Sequence, residues 1–267
     1  MTTDIRLTAE QNIILERVRT TTNNLAIEAR AGAAKTTTLV EIAKALAGKT
    51  ILALAFNKKI ATEMNDRLPE GAIAKTLNAL GDRAIRDFRG KFHKLEDKKC
   101  YEILTSLIHK LEVEEQEESY ERFAETLAAI RTAKNVGYLP EGAHSMMKSL
   151  YAADDFYSSL DEEPSDLQRV LIDKALRISI KMVFDEGFVD FADQLYVSTL
   201  HKSISFPRFE VVLVDEAQDL SELNHIMLSK LVRGSTRLII VGDPCQAIYS
   251  FRGASEESMP QLVKRFD

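Results

Sequence analysis

The sequence predicts an α/β fold, a mostly parallel sheet with helices on both faces. Short apolar runs alternate with segments of helical periodicity, the links between them are short, and polar residues directly follow the apolar runs. Apolar runs without alternation are typical of strands buried on both faces, as in parallel sheets. Strand–helix alternation with short links is the pattern of a doubly wound sheet, which binds ligands at the carboxyl ends of its strands.

The composition is that of an ordinary globular protein. The 267 residues are 45% hydrophobic, and this length allows one large or two modest domains. The net charge of −6 gives no global electrostatic case for nucleic-acid binding, so such binding requires a local basic groove. Cys100 and Cys245 are isolated, which fits a reducing compartment. Because no signal core or membrane-spanning run is visible, we expect a cytoplasmic protein, or a nuclear one in a eukaryote.

A helix start precedes the first strand. Leu7 to Gln11 opens a segment with helical periodicity that continues through Val18. Thr8 and Gln11 have the spacing of a capping box. A second interpretation is that Gln11 hydrogen-bonds N6 and N7 of adenine through its two-sided amide. One amide cannot do both at once, and the spacing alone leaves both open.

The first apolar run, 25–27, leads into a turn of small residues, then Lys-Thr and a helix-periodic segment. This is the layout of a phosphate-binding loop. Small residues let backbone N–H groups close around phosphate oxygens, and the helix N-terminus adds its positive end. An Ala-rich turn that happens to carry Lys-Thr is the alternative. The residues expected to contact phosphate or nucleotide are Ala29, Arg30, Ala31, Gly32, Ala33, Ala34, Lys35, Thr36 and Thr37.

Two residues of the loop carry most of its chemistry. Lys35 is expected to reach the β- and γ-phosphates, and the Thr36 hydroxyl to take a place on Mg²⁺. Ala34 stands where such loops usually have glycine. Its added methyl group would lie near the β-phosphate and could slow or weaken nucleotide binding, although a helix-compatible φ would tolerate alanine.

Two more apolar runs follow in the N-terminal third of the chain. Residues 50–56 predict a buried parallel strand, with Asn57-Lys58-Lys59 at its carboxyl end and a helix to Arg67. Residues 72–75 predict a short strand, after which a helix begins at Thr76. From about residue 91 helical periodicity dominates. We therefore predict a helical insertion at 91–185 within a domain formed by 1–90 and 186–267.

Two apolar runs near the C-terminal end each lead into polar residues. The run 209–214 ends in Asp215-Glu216, and the run 237–241 is followed by Gly242 to Gln246. An apolar strand ending in Asp-Glu, in a chain with a phosphate loop, predicts a Walker B element. Asp215 is expected to hold Mg²⁺, Glu216 to deprotonate the attacking water and Gln246 to sense the γ-phosphate. The alternative is a pair of solvent-facing carboxylates and an ordinary polar loop residue.

Taken together, these segments resemble the motifs of the superfamily 1 UvrD/Rep/PcrA-type DNA helicases. The forms LAFNKK and GDPCQAIYSFRGA lean toward F-box-helicase-like and phage members. Motifs II and III are the most specific. The matched segments are Leu7 to Gln11 (Q motif), Ala29 to Thr37 (motif I), Ala55 to Lys59 (Ia), Lys75 to Asn78 (Ib), Val214 to Asp219 (II) and Val241 to Ala254 (III).

The resemblance implies a RecA-like P-loop domain with a 1B-like helical insertion. It implies ATP and Mg²⁺ as cofactors and ATP-driven translocation on single-stranded DNA, usually 3′ to 5′. Leu7 and Gln11 would contact adenine. Gln246 would couple the γ-phosphate to the DNA-binding segment that follows it. The DNA contacts implied are Phe56 and Phe251 as base-stacking rings, for which core packing is the alternative, with Tyr249, Arg252, Asn57, Thr76 and Asn78 along the strand.

Several features depart from the family pattern. Arg30 is bulky where many relatives have a small residue, and Asn78 replaces the usual histidine of motif Ib. The chain stops at Asp267, before motifs IV to VI and their arginine fingers would occur. We therefore expect a missing C-terminal helicase half, in cis or in trans, and a chain that alone is weakly active or inactive. The rival hypothesis is a nucleotide-switched module that binds DNA or protein without productive turnover.

Overall fold

The computed structural model describes residues 7–30, 32–246 and 258–266. The chain forms two compact units. The first comprises 1–77, 207–220 and 228–267, and the second 78–206 and 221–227. The units divide at other positions than the predicted 90 and 186, and the predicted domain assignment stays a prediction.

Strands among the described residues form two parallel sheets. Their bounds are β1 Leu25–Glu28, β2 Ile51–Leu54, β3 Ala72–Lys75, β4 Lys94–Leu95, β5 Phe188–Val189, β6 Val211–Val214 and β7 Arg237–Gly242. The five-stranded sheet of the first unit has the order β1-β7-β6-β2-β3, and each neighbouring pair is parallel. The α/β fold class predicted from the sequence is confirmed.

Helices connect these strands and build most of the second unit. Their bounds are α1 Ala9–Thr20, α2 Lys35–Ala45, α3 Lys58–Asn65, α4 Leu77–Arg89, α5 Lys99–Ile108, α6 Val113–Glu121, α7 Phe123–Val136, α8 Ala153–Ser158, α9 Asp166–Lys181, α10 Phe191–Leu200, α11 Glu222–Leu231 and α12 Ser258–Phe266. A π-helical turn follows α9, and 3₁₀ turns follow β6 and β7. No helix of the described part is both long and apolar enough to cross a membrane.

The core of the first unit explains why its apolar runs became strands. The strands β2, β6 and β7 are buried along their whole length, as a central parallel sheet requires. Every second residue of these strands packs with the apolar sides of α1, α2 and α3 in one cluster. The strand members of this cluster are Ile51, Ala53, Val211, Leu213, Ile239 and Val241.

A buried arginine ties the first helix to the sheet. The Arg237 guanidinium at the start of β7 donates to the carbonyl oxygens of Val18 and Asn23, each at 2.8 Å, and to Thr21 Oγ1 at 3.3 Å. The last carbonyls of a helix have no partner within it, so this guanidinium completes the end of α1. The helix that carries Gln11 is thereby held against the sheet.

The second unit has its own apolar core, formed mainly by α5, α7 and α9. The Tyr138 and Phe156 rings stack inside it with centroids 4.2 Å apart. An acidic run near residue 115 forms most of α6, a helix whose residues are mostly exposed. Ser165 begins α9 with a capping box. One feature differs from the sequence interpretation: β4 lies within the predicted helical insertion and pairs with β5.

Candidate functional site

The predicted phosphate loop joins the end of β1 to the start of α2. Gly32 has φ +77° and Ala34 has φ +53°, so both lie in the left-handed region. Ala34 therefore does not have the helix-compatible φ that would tolerate alanine. A left-handed conformation costs a non-glycine residue about 1–2 kcal/mol, because Cβ approaches the following carbonyl oxygen. The loop holds this strained residue immediately before Lys35, while Ala31 lies outside the described residues.

The loop meets the carboxyl end of β6 through two contacts. Lys35, which begins α2 and is 8% exposed, places Nζ 2.7 Å from Glu216 Oε2. Thr36 Oγ1 donates to Asp215 Oδ2 at 2.7 Å. The backbone N–H of Ala29 also donates to the Gly242 carbonyl at the end of β7. Four predicted residues, a lysine, a hydroxyl and two carboxylates, thus come together at one edge of the sheet.

The Asp215–Thr36 pair has the chemistry of a magnesium site. Asp215 is buried, and burial raises its pKa, an effect that the Thr36 hydrogen bond partly opposes. Bound Mg²⁺ would offset this cost, since hydroxyl and carboxylate oxygens are ligands it prefers. In the part of the chain that the structure describes, no three His, Cys, Asp or Glu side chains are grouped to hold a metal. The Asp215–Thr36 pair offers only two protein ligands, and Mg²⁺ is often bound in this way, with nucleotide phosphates and water completing its coordination.

The Glu216 backbone is strained like that of Ala34, with φ +50° and ψ +48°. Non-glycine residues in this region persist only where surrounding contacts hold them, and they cluster at functional sites. At Glu216 the backbone N–H donates to Asp215 Oδ1 at 3.1 Å, and the carbonyl accepts from the Asp219 N–H at 2.9 Å. The side chain is held by the Lys35 ammonium group and by the Gln218 amide, whose Nε2 donates to Glu216 Oε2 at 2.9 Å.

Gln218 connects the ends of β6 and β7, a role that the sequence analysis missed. It is 3% exposed, and its Oε1 accepts from the Asp243 backbone N–H at 3.0 Å. The Asp243 carbonyl in turn accepts from the Gln246 N–H at 3.0 Å. The end of motif II is thus hydrogen-bonded to the start of motif III. The available signal was an amide side chain two residues after the Asp-Glu pair.

A third carboxylate borders this cluster. The pKa of Asp219 is raised to about 6, mainly by burial and also by the neighbouring Glu216 carboxylate, while Lys35 opposes the shift. Asp219 Oδ2 accepts weakly from Gln218 Nε2 at 3.4 Å. The local charge at this edge therefore changes between pH 5 and pH 7.

Gln11 forms the predicted capping box and one contact more. Its Oε1 accepts from the Thr8 N–H at 2.9 Å, and its own N–H donates to Thr8 Oγ1 at 3.2 Å. Its Nε2 donates to Thr38 Oγ1 in α2 at 2.9 Å. Leu7 packs against the core of the first unit. The adenine contact of Leu7 and Gln11 stays a prediction, and adenine would compete with Thr8 for the amide oxygen.

Three of the predicted DNA contacts lie at the carboxyl ends of neighbouring strands. The ends of β2 and β3 are joined by a hydrogen bond from the Ala55 N–H to the Lys75 carbonyl. Phe56 is 37% exposed, which argues against simple core packing, and Asn57 accepts from the Ile60 N–H to cap α3. Thr76 directly follows β3. Tyr249, Phe251 and Arg252 lie outside the described residues.

Asn78, in the second unit, indicates an aromatic residue that the sequence analysis overlooked. Its Nδ2 donates to the Phe191 carbonyl at 3.1 Å. Phe191 is the first residue of α10 and is 63% exposed, which is unusual for a large apolar side chain in an ordered helix. The signal was an aromatic residue between Asp190 and Asp193, which have capping-box spacing.

Comparison with known proteins agrees with this geometry. The family model described as the UvrD/REP helicase N-terminal domain matches residues 7–267. The chain is 28% identical to F-box DNA helicase protein 1 of Schizosaccharomyces pombe, over 93% of this chain and 29% of that protein. It is 27% identical to ATP-dependent DNA helicase PcrA of Bacillus subtilis, over 94% and 35%, and 25% identical to DNA helicase II of Escherichia coli, over 94% and 36%. The chain spans about a third of the length of these relatives. The resemblance drawn from the motifs is confirmed.

Proposed function

The chain belongs to the UvrD/REP helicase N-terminal domain family, and we propose that it is the ATP-binding and ATP-hydrolysing part of a DNA helicase or translocase. The proposed track is single-stranded DNA, followed in the 3′ to 5′ direction, in the cytoplasm or nucleus. One observation carries the proposal: Lys35 and Thr36 of the loop contact Glu216 and Asp215 at the end of β6. Phosphoryl transfer needs this set of charges in one place.

Each of these side chains has a role in the proposed reaction. Lys35 and the N-terminal N–H groups of α2 hold the β- and γ-phosphates. Thr36 and Asp215 would hold Mg²⁺, which would neutralise charge on the phosphate oxygens. Glu216 orients the attacking water and accepts its proton.

The Lys35–Glu216 ion pair has to open before hydrolysis. Lys35 exchanges the Glu216 carboxylate for phosphate oxygens, and the carboxylate then becomes available to water. Gln218 keeps its hydrogen bond to Glu216 during this exchange and limits how far the carboxylate moves. The Gln218 amide also accepts from the Asp243 N–H, so a movement of the Glu216 carboxylate alters the position of the segment that leads to Gln246.

The DNA contacts are proposed separately for the two units. In the first unit, Phe56 stacks on a base, while Asn57 and Thr76 contact the strand. In the second unit, the exposed Phe191 ring stacks on a base and Asn78 contacts the strand. A base stacked on an aromatic ring contributes about 1–3 kcal/mol. Following the family resemblance, we include the segment after Gln246 as a third contact, through Tyr249, Phe251 and Arg252.

The proposal includes a second RecA-like domain, supplied in cis or in trans. Transition-state charge on the γ-phosphate is stabilised by an arginine in related systems, and this contribution is about 10³–10⁵ in rate. We therefore expect slow turnover from the present chain alone and a large increase when a C-terminal helicase half is added.

ATP binding and hydrolysis in two site variants test the proposal. Lys35→Ala should abolish ATP binding or turnover, and Glu216→Gln should bind ATP·Mg²⁺ but not hydrolyse it. Lys44→Ala, in the same helix α2 but paired with Glu41 on the surface, is the matched control and should behave as wild type. Calorimetry and phosphate release, with and without oligo-dT, measure both steps. Normal hydrolysis by Glu216→Gln would show that the assigned base is wrong.

A nucleotide-switched binding module is the second candidate. The Lys35–Glu216 ion pair favours it, because nucleotide binding alone would separate these groups and rearrange the sheet edge without turnover. The two candidates differ in their response to DNA. If oligo-dT does not stimulate turnover even after a C-terminal half is added, while ATP binding still changes DNA affinity, the switch is the better description.

A further inference from the structure

The second unit contains four buried charged residues that the proposed reaction does not use. Lys99, Lys134 and Asp193 have no exposed surface, and Asp190 is 7% exposed. We call Lys99, Lys134, Asp190 and Asp193 the buried quartet. Two ammonium groups and two carboxylates balance in charge, which is the condition under which ionised groups persist in a protein interior.

The two lysines approach the same two carboxylates from different helices. Lys134 Nζ, from α7, lies 2.5 Å from Asp190 Oδ2 and 2.8 Å from Asp193 Oδ1. The Lys99 ammonium group, from α5, contacts Asp193 Oδ2 and donates to the carbonyls of Ser179 and Phe188, each at 3.2 Å. The Cys100 thiol adds a hydrogen bond to Asp190 Oδ2. The contacts to Asp190 and Asp193 converge on the start of α10.

The two aspartates also cap that helix. The Asp193 N–H donates to Asp190 Oδ1, and the Asp190 N–H donates to Asp193 Oδ2, each at 2.9 Å. Phe191 lies between Asp190 and Asp193 in the chain, so side chains from α5 and α7 hold the backbone on both sides of it. Its side chain is nevertheless 63% exposed. The quartet thus immobilises the backbone of a residue whose ring faces solvent.

Burying four charges is an expensive way to hold a helix end. Well-packed apolar residues of similar volume often give equal or greater stability than a buried ion pair. Ion pairs that also form hydrogen bonds in fixed directions add a defined geometry, which apolar packing does not. Defined geometry is useful at this place because a ring held in one position can stack on a base without first being ordered.

We propose that the buried quartet is a positioning device that holds Phe191 as a preorganised stacking platform for a base of single-stranded DNA. The inference rests on the proposed function, and it assigns to Lys99, Lys134, Asp190 and Asp193 a role in DNA affinity exerted through Phe191. None of the four touches the strand.

A charge-free quartet tests this role. The variant Lys99→Met/Lys134→Met/Asp190→Asn/Asp193→Asn removes all four charges and keeps oxygen acceptors for the cap of α10. Phe191→Ala should weaken oligo-dT binding about 5- to 150-fold, the loss expected for one base stack. The charge-free variant should lose at least threefold, and its loss should vanish in the Phe191→Ala background, because both changes act on one contact.

A spectroscopic signal separates positioning from mere stability. An oligonucleotide with 2-aminopurine at successive positions reports stacking by fluorescence quenching, and the position quenched by Phe191 should brighten in the charge-free variant. Phe191→Tyr keeps a ring and should keep the quenching. Lys110→Met, an exposed lysine of the same unit, is the control and should change neither affinity nor fluorescence.

Four results would overturn the inference. One is a folded charge-free variant with wild-type affinity and quenching, and another is a loss that adds fully to that of Phe191→Ala. Should the fourfold variant not fold, the milder Asp190→Asn is compared in the same cycle and by the same criteria. If Phe56→Ala weakens DNA binding but Phe191→Ala does not, the proposed function is supported and this inference is wrong. If the wild-type protein does not bind oligo-dT, both the proposed function and this inference are wrong.

Discussion

Two clusters of charge in this protein are built on opposite principles. At the sheet edge, Lys35 pairs with a partly exposed Glu216, and two non-glycine residues, Ala34 and Glu216, have left-handed backbones. In the buried quartet, each charge has an opposite partner and no backbone strain accompanies the contacts; Asp190, for example, has φ −94° in the extended region. Strain with few partners characterises a site prepared for a ligand, whereas complete pairing characterises a structural element.

The pKa values also differ between the buried quartet and the sheet edge. Burial lowers the pKa of Lys134, but Asp193 and Asp190 outweigh it and hold that pKa well above its usual range. Burial would raise the pKa of Asp190, yet Lys134 and Lys99 lower it well below its usual range. Lys134 and Asp190 therefore stay ionised near neutral pH, whereas burial lowers the pKa of Lys99. At the sheet edge, the pKa of Asp219 near 6 places a titration within the physiological range.

Removing one lysine from each cluster should give the largest contrast. Lys134→Met leaves two buried carboxylates short of a partner and should cost about 3–5 kcal/mol in the free energy of unfolding. Lys35→Met breaks a pair whose carboxylate is partly exposed and should cost about 1 kcal/mol or less. Urea unfolding of both variants measures the difference. Equal losses in the free energy of unfolding would contradict the distinction between a ligand site at the sheet edge and a structural element in the quartet.

Gly242→Ala should disturb the sheet edge through packing instead of charge. A Cβ at this position would lie 2.6 Å from Gln218 Oε1 and 2.6 Å from Met259 Sδ, so both neighbours must move. We expect a loss of about 1–3 kcal/mol. Combining it with Gln218→Ala should cost less than the sum of the two single losses. Strict additivity in denaturation experiments would mean that the alanine does not act through Gln218.

Asp219→Asn should alter the pH dependence of stability. Because the folded pKa, near 6, lies above the ordinary 3.8, the folded state binds the proton more tightly and stability falls as pH rises from about 4 to 6. The asparagine variant should therefore gain stability relative to wild type at pH 7–8, by about 1 kcal/mol after allowance for partial exposure, and none at pH 4. Thermal melts across this range test the sign; a gain that is independent of pH would contradict it.

Ala34→Gly should have the smallest effect, a gain of about 0.5–1 kcal/mol. Glycine removes the strain of φ +53°, and greater freedom in the unfolded chain offsets part of that gain. Ala33→Gly is the matched control, since its φ is not positive and only the unfolded-state term applies. It should lose stability. If both variants lose stability by the same amount, the left-handed turn is not strained.

The sequence predicted the elements more completely than their contacts. Apolar runs gave the strands β2, β6 and β7, and the spacing of Thr8 and Gln11 gave the capping box of α1. The same reasoning did not reach the backbone at Ala34. The loop has to reverse the chain direction between β1 and α2, and the left-handed conformation of Ala34 does so.

Periodicity, turns and caps depend on residues a few positions apart, which is why residue order alone was sufficient for the α/β class and for the polar residues after each strand. Which charges pair is decided by packing. Thr36 and Asp215 are 179 residues apart, and Lys99 and Asp193 are 94 residues apart. No local pattern distinguishes a lysine at a sheet edge from one sealed between helices, because desolvation arises only when distant segments exclude water together. The tertiary structure alone separated Lys35, whose partner Glu216 is partly exposed, from Lys134, which is buried against two buried aspartates.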